Sequence, residues 1–349
     1  MHPALAVVAE AIERGPIPGA AGVVGRVGRL EFAANGRQDA TGGPRVTPAT
    51  LFDLASLTKV LFTAVLVARD VAVGRLDPDA PLREHLPEAA GPVAQTTIRQ
   101  LLTHTSGLAP LSELRYWSLP RAEALRRAAR VPLAGPSGDI IYSDQGYIIL
   151  GAMLERLHGE RLDLLAERLY SPLGLDLRFM PPLKTKVEDL ARCARTEVPP
   201  EGGSALQGVV HDENAQALDG VAGHAGLFGS AAGVAGFLEA LLDGAVLDRA
   251  GLDFLTRQQV AGVIDGHTER RAAGWLLASP GWFGGSAAPE TALGHTGFTG
   301  TAAWFDPPSG RIAVLLTNRV CPSRNTPSGI VELREQFGTA AFSPRLGEA

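Results

Sequence analysis

Two hairpin signals lie near opposite ends of this chain with a helical pattern between them, so a sheet has to be assembled from both termini around an inserted block. At the amino-terminal end, β-rich runs at 20–27 and 30–34 meet at Gly28-Arg29. At the other end, runs at 301–306 and 311–318 flank Pro307-Pro308-Ser309-Gly310, a cluster suited to reversing the chain. Ahead of the first hairpin, Pro3 followed by Leu5, Val8 and Ile12 puts apolar residues on one helical face until Gly15-Pro16 ends it. Between the ends, 60–68, 98–102, 121–129 and 147–157 carry helical spacing, separated by loops rich in proline and glycine. The expected fold class is α/β. Residues 1–70 and 211–349 would form an antiparallel sheet flanked by helices, 71–210 a mainly helical domain, and the cleft between them the active site.

Composition narrows the partners. The 349 residues are 45% hydrophobic and 20% charged, enough for a substantial core. The formal charge of −5 comes with scattered arginines and no basic block, so nucleic acid is not expected as a partner. The longest stretch without Asp, Glu, Lys or Arg, 220–238, is broken by His224 and loaded with glycine, so no membrane partner is expected, and its glycines at 220, 223, 226 and 229 read as a tight loop. Residues 1–10 lack the basic start and long apolar run of a secretory leader, so the expected location is cytoplasmic, or exported if a leader has been removed. Cys193 and Cys321 lack metal-ligand spacing and read as free thiols. His211-Asp212-Glu213 holds metal-binding residue types, but adjacent residues do not converge on one ion, and neither metal nor other cofactor is expected. The G-x-S-x-G motif is missing. Nothing in the pattern sets an oligomeric state.

Lysine is the scarce residue. Only Lys59, Lys184 and Lys186 occur among 32 basic residues, and one stands three positions after a serine in Ser56-Leu57-Thr58-Lys59. With 15 serines and three lysines in 349 residues, about 0.13 chance matches to S-x-x-K are expected (15 × 3/349). Arginine would serve if only charge were wanted, but it cannot give up its proton, whereas a buried lysine can. A helix starting near Ser56 would put both side chains on one face, with the serine at the positive end of the dipole, favouring an alkoxide over a protonated amine. Without company, the same residues read as a serine N-cap beside a solvated lysine.

The company is Tyr142-Ser143-Asp144 and then His295-Thr296-Gly297. With the run Leu51-Phe52-Asp53-Leu54-Ala55-Ser56, the segment Leu101-Leu102-Thr103-His104-Thr105-Ser106-Gly107-Leu108 and the run from Gly294 to Gly300, these motifs resemble the serine hydrolases of the β-lactamase and penicillin-binding-protein family. The tyrosine in the second motif places the resemblance in the class C branch, near its family VIII esterases. It implies a β-lactamase-like fold and an acyl-enzyme mechanism. Ser56 is then the nucleophile, and Lys59 and Tyr142 share the transfer of its proton. The N–H groups of Ser56 and Phe298 would hold the oxyanion, with Asp144, His295, Thr296, Gly297 and Phe298 as the substrate-binding set. Gly297 would let a substrate approach the backbone. The implied substrates are small esters, amides or β-lactams.

Two positions depart from the family pattern. Asp144 stands where asparagine is usual, and its carboxylate could pair with Lys59, keep the amine protonated and move the base role to Tyr142; it could also simply cap the following helix. His295 stands where lysine is usual, which weakens the fixed charge for a substrate carboxylate. Both favour an esterase or a peptidase of D-amino-acid or cell-wall fragments. A true class C-like β-lactamase and a catalytically silent ligand-binding relative remain as alternatives. His104 and His224 could line the cleft or be buried structural residues, and Trp275 could be a core aromatic or part of a pocket wall, of which core is the favoured reading.

Overall fold

Helix α1 (Pro3–Arg14) opens the chain and is followed by β1 (Gly19–Arg26), β2 (Arg29–Asp39) and β3 (Gly42–Arg45). These come from a computed structural model that describes residues 1–264 and 266–344. Near the other end lie β7 (Val260–Ile264), β8 (His267–Arg271), β9 (Leu276–Leu277), β10 (Leu293–Thr296), β11 (Ala302–Asp306) and β12 (Arg311–Thr317). All nine strands form one antiparallel sheet in the order β3-β2-β1-β12-β11-β10-β9-β8-β7. The joint between the two ends is the β1–β12 ladder, running from Ala20 opposite Thr317 to Arg26 opposite Arg311.

Both faces of that ladder are covered, which is why β1 shows little polar alternation. Ala21 and Val23, with Ile312, Val314 and Leu316, join the larger core shared with the helices of the insertion. Ala20 and Val24, with Ala313 and Leu315, pack under α1 and the last helix, Ile330–Phe342. Trp275 is core as expected, fully buried and edge-on to Phe305 at 4.9 Å. Both cysteines are buried free thiols. Among the described residues no helix is long and apolar enough to cross a membrane.

Three short strands, β4 (Phe52–Asp53), β5 (Leu177–Phe179) and β6 (Leu227–Gly229), form a second sheet in the order β4-β6-β5. This corrects the reading of 220–229 as loop throughout: Leu227 and Phe228 are buried, Phe228 and Gly229 pair with the strand that leads to Ser56, and the Leu227 carbonyl accepts the Leu54 N–H. The loop before β6 packs against helix α2 (Asp144–His158), where Gly223 lies on Gly151. A Cβ at Gly223 would run into the Tyr147 carbonyl oxygen, a backbone atom that cannot swing aside. Gly223→Ala is therefore expected to lower stability by about 2 kcal/mol or more, seen as a fall of several degrees in Tm. An unchanged melting curve would show that the loop relaxes freely.

Candidate active site

A cleft of about 930 Å³ is lined by Ser56, Tyr142, Asp144, His295, Thr296, Gly297 and Phe298, with Lys59 fully buried beneath. Another cavity, of about 950 Å³, lies between the amino terminus and the last helix and shares no residue with the first. The motifs quoted from the sequence thus meet at the first.

Ser56 is presented by a sharp turn. Ala55 adopts φ +47°, a left-handed conformation that is unfavourable for a residue with a Cβ. The buried Asp53 carboxylate holds it by accepting the Ala55 N–H at 2.9 Å and the His211 N–H at 2.6 Å. Burial raises the Asp53 pKa, and these two backbone donors oppose the rise. From the other side, Thr299 and Thr301 donate their hydroxyls to the Asp53 and Leu54 carbonyls. A helical turn then begins at Leu57 and passes through a π-type turn at Lys59–Thr63 into the α-helix Ala64–Ala72. Lys59 is set by this turn.

The Lys59 ammonium donates to Ser56 Oγ at 2.9 Å and to the His224 carbonyl at 3.0 Å. Its nitrogen also lies 2.7 Å from Asp144 Oδ1, an ion pair whose angles fall short of a hydrogen bond. Burial by itself would lower the Lys59 pKa, but the charge of Asp144 and the adjacent Tyr142 outweigh it and hold the pKa above the ordinary lysine value. Charge proximity decides this, whatever the angle. The capping role considered for Asp144 falls instead to Ser143, whose hydroxyl accepts the Gly146 N–H. His104 and His224 are buried and do not line the cleft.

The third motif forms β10 and the turn after it. His295 is buried, and its Nδ1 donates to the Thr296 carbonyl at 2.8 Å, so the proton sits on Nδ1. Burial, with Lys59 and Arg271 nearby, pushes the His295 pKa down to about 3. It is neutral at neutral pH. Gly297 is required for a reason the sequence did not reveal: a Cβ there would meet the Leu54 carbonyl and the Thr301 hydroxyl. Phe298 is 50% exposed and stacks on His211 at 5.6 Å. The N–H groups of Ser56 and Phe298 have no acceptor among the described residues, which leaves both available to a developing oxyanion.

What sequence reasoning missed is a set of arginines. Arg271, Arg319, Arg324 and Arg334 all line the cleft. Arg324 pairs with Glu197 and Glu213, and Arg271 with Glu269. Arg319 and Arg334 have no carboxylate within ion-pair distance among the described residues. Both are held by carbonyls of the third-motif segment: Arg319 donates to Phe298 O at 2.8 Å, and Arg334 to Gly297 O at 2.6 Å and Thr301 O at 2.9 Å. Burial and the proximity of Arg319 push the Arg334 pKa down to about 9. In sequence these residues were lost among 29 arginines, and only the fold separates them from the rest.

The sequence model of the family described as Beta-lactamase matches residues 5–334. An N-acetylmuramyl-L-alanine amidase of Bacillus subtilis (strain 168) is 32% identical over 346 residues, covering 86% of this chain and 77% of the relative. An Escherichia coli (strain K12) protein, named provisionally as a D-alanyl-D-alanine carboxypeptidase, is 29% identical over 308 residues, covering 79% of this chain and 70% of that protein. In fold, a penicillin-binding-protein homologue from Caulobacter crescentus superposes with a TM-score of 0.75 at 22% identity, over 97% of this chain and 98% of that one.

Proposed function

The chain belongs to the beta-lactamase family, and from that membership we propose the following roles in the cleft and the substrate it prefers. The protein is a serine hydrolase of ester or amide bonds that works through an acyl-enzyme. Ser56 Oγ attacks the carbonyl carbon. Because Lys59 donates to that oxygen, the serine's own proton is directed elsewhere, and Tyr142 carries it to the leaving group as the carbonyl bond to that group breaks. Lys59 acts as a fixed charge and not as the free base, since Asp144 keeps it protonated. The Ser56 and Phe298 amides stabilise the tetrahedral oxyanion. Water then attacks the ester with Tyr142 as its base, releasing the acid and restoring the Ser56 hydroxyl.

The preferred substrate is a small acyl compound with a carboxylate on its leaving group, such as an amide-linked D-amino-acid or cell-wall fragment. One observation carries this: among the described residues, Arg319 and Arg334 bring positive charge to the cleft with no carboxylate at ion-pair distance. They replace the cation that His295, being neutral, does not provide. The names of the Bacillus subtilis and Escherichia coli relatives support a cell-wall substrate.

A matched pair tests this: an N-acyl-D-alanyl-D-alanine with a free carboxyl terminus, and the same compound as its terminal amide. The free acid is expected to be favoured by about 10-fold or more in kcat/KM, the scale of one charged hydrogen bond, and Arg319→Gln should erase most of the preference. Equal rates would remove the substrate assignment. Cephalosporin turnover faster than that of both peptides and of short p-nitrophenyl esters would point to a lactamase.

A further inference from the structure

We propose that His104 is a positioning residue that fixes the ring of Tyr142 in the cleft. The inference rests on the proton-carrying role given to Tyr142 above.

His104 holds the three residues Ile141, Tyr142 and Ser143 by separate contacts. Its carbonyl accepts the Ile141 N–H at 2.9 Å. Its imidazole Nδ1 accepts the Ser143 N–H at 2.9 Å. Its ring face stacks on the Tyr142 ring, with centroids 4.5 Å apart and planes inclined by 30°. The backbone on both sides of Tyr142 and the aromatic ring between them are therefore secured by one side chain and its own carbonyl. His104 adopts φ +60°, an unusual conformation for a residue with a Cβ.

The histidine is itself anchored from the core. It lies 5.1 Å from Tyr147, which is fully buried on α2 and donates its hydroxyl to the Leu102 carbonyl at 2.9 Å. The stack thus runs outward from Tyr147 through His104 to Tyr142. Tyr142 is 36% exposed, and its other aromatic neighbour is His295 at 6.1 Å in a tilted arrangement. Its closest ring contact is therefore His104, and a displacement of about 1 Å at a reacting group can cost about 10²-fold in rate.

The contact works only while Nδ1 keeps its lone pair, because a backbone N–H needs an acceptor. The proton then belongs on Nε2. The ionisable groups near the ring are Arg271, Lys59, His295, Tyr142 and Tyr147; burial and then the cations Arg271 and Lys59 disfavour a protonated imidazole. One of those cations, Lys59, also donates to Ser56 Oγ.

A double-mutant cycle with Tyr142→Phe tests the idea. His104→Asn tolerates the left-handed backbone and keeps a short acceptor but removes the stacking ring. His104→Phe keeps a ring and removes the acceptor. Each is expected to lower kcat for a p-nitrophenyl ester by about 10-fold or more, with KM changed less than threefold and a cooperative melt retained. In the Tyr142→Phe background neither should lower kcat by more than about twofold further. If the full loss recurs in that background, His104 is merely structural and the proposal falls, while the role of Tyr142 stands. If Tyr142→Phe itself keeps wild-type kcat, the proton-carrier role falls and this proposal with it. Wild-type kcat in both His104 variants would also overturn it.

Discussion

Ser56→Ala is expected to abolish turnover of every ester and amide substrate, by about 10⁴-fold or more, while leaving the fold intact. The loss is large because the proposed mechanism needs a covalent bond to Oγ, and under it what remains is binding and oxyanion stabilisation by two amides. Stability should survive because Lys59 keeps its other two partners, the His224 carbonyl at 3.0 Å and Asp144 at 2.7 Å. The check is a fluorophosphonate probe read by intact mass. Wild type gains one adduct and Ser56→Ala none, with melting temperatures within a few degrees. An equal adduct on the variant would place the nucleophile elsewhere and remove the mechanism.

Lys59→Met separates charge from packing and should damage both rate and stability. Methionine approximates the volume of the lysine but leaves the Asp144 carboxylate, 13% exposed, without its cation. Breaking one side of a buried pair costs about 3 kcal/mol or more. The rate should fall at least ~10²-fold, since nothing then donates from beneath Ser56 Oγ. The double variant Lys59→Met/Asp144→Asn should regain most of the stability and none of the rate. If it also regains rate, Lys59 is structural. Arginine is a poor conservative test here, because three partners at 2.7–3.0 Å converge on one point and a planar fork cannot meet them. The pH dependence follows in sign. The folded pKa of Lys59 lies above its unfolded value of about 10.4, so the contribution is full at neutral pH and is lost only as pH rises through the folded pKa.

The legible parts were those written in short spacings. The hairpins at 28–29 and 307–310 predicted β1, β11 and β12 within a residue, because turn chemistry and strand alternation are local, while β2 runs five residues past the expected end at 34, to Asp39. Ser56 and Lys59 share a helical face by spacing alone, and their contact at 2.9 Å follows. The strand at Leu227–Gly229 was missed because three residues, Leu-Phe-Gly, are too few to carry a period of their own. It forms because β4 and β5 offer edges on both sides. For Gly297 the residue was found and the reason was not: the missing Cβ faces the Leu54 carbonyl, a neighbour that only folding provides.

The sequence by itself determined the chemical inventory: a serine, a scarce lysine, a tyrosine motif and a strand motif, in an order that resembles one family of serine hydrolases. Tertiary structure decided the charge state in which that inventory works. Lys59 is protonated because Asp144, 85 positions away in the numbering, lies 2.7 Å from it, and its other anchor is a carbonyl 165 residues distant. Among the described residues, Arg319 and Arg334 become cleft cations with no carboxylate at ion-pair distance, and His295 the cleft's neutral member, through burial and neighbours drawn from separate elements. Local spacing fixes which side chains share a helical face, whereas electrostatics depends on distance through space and on exclusion of water, and neither exists until the chain has closed.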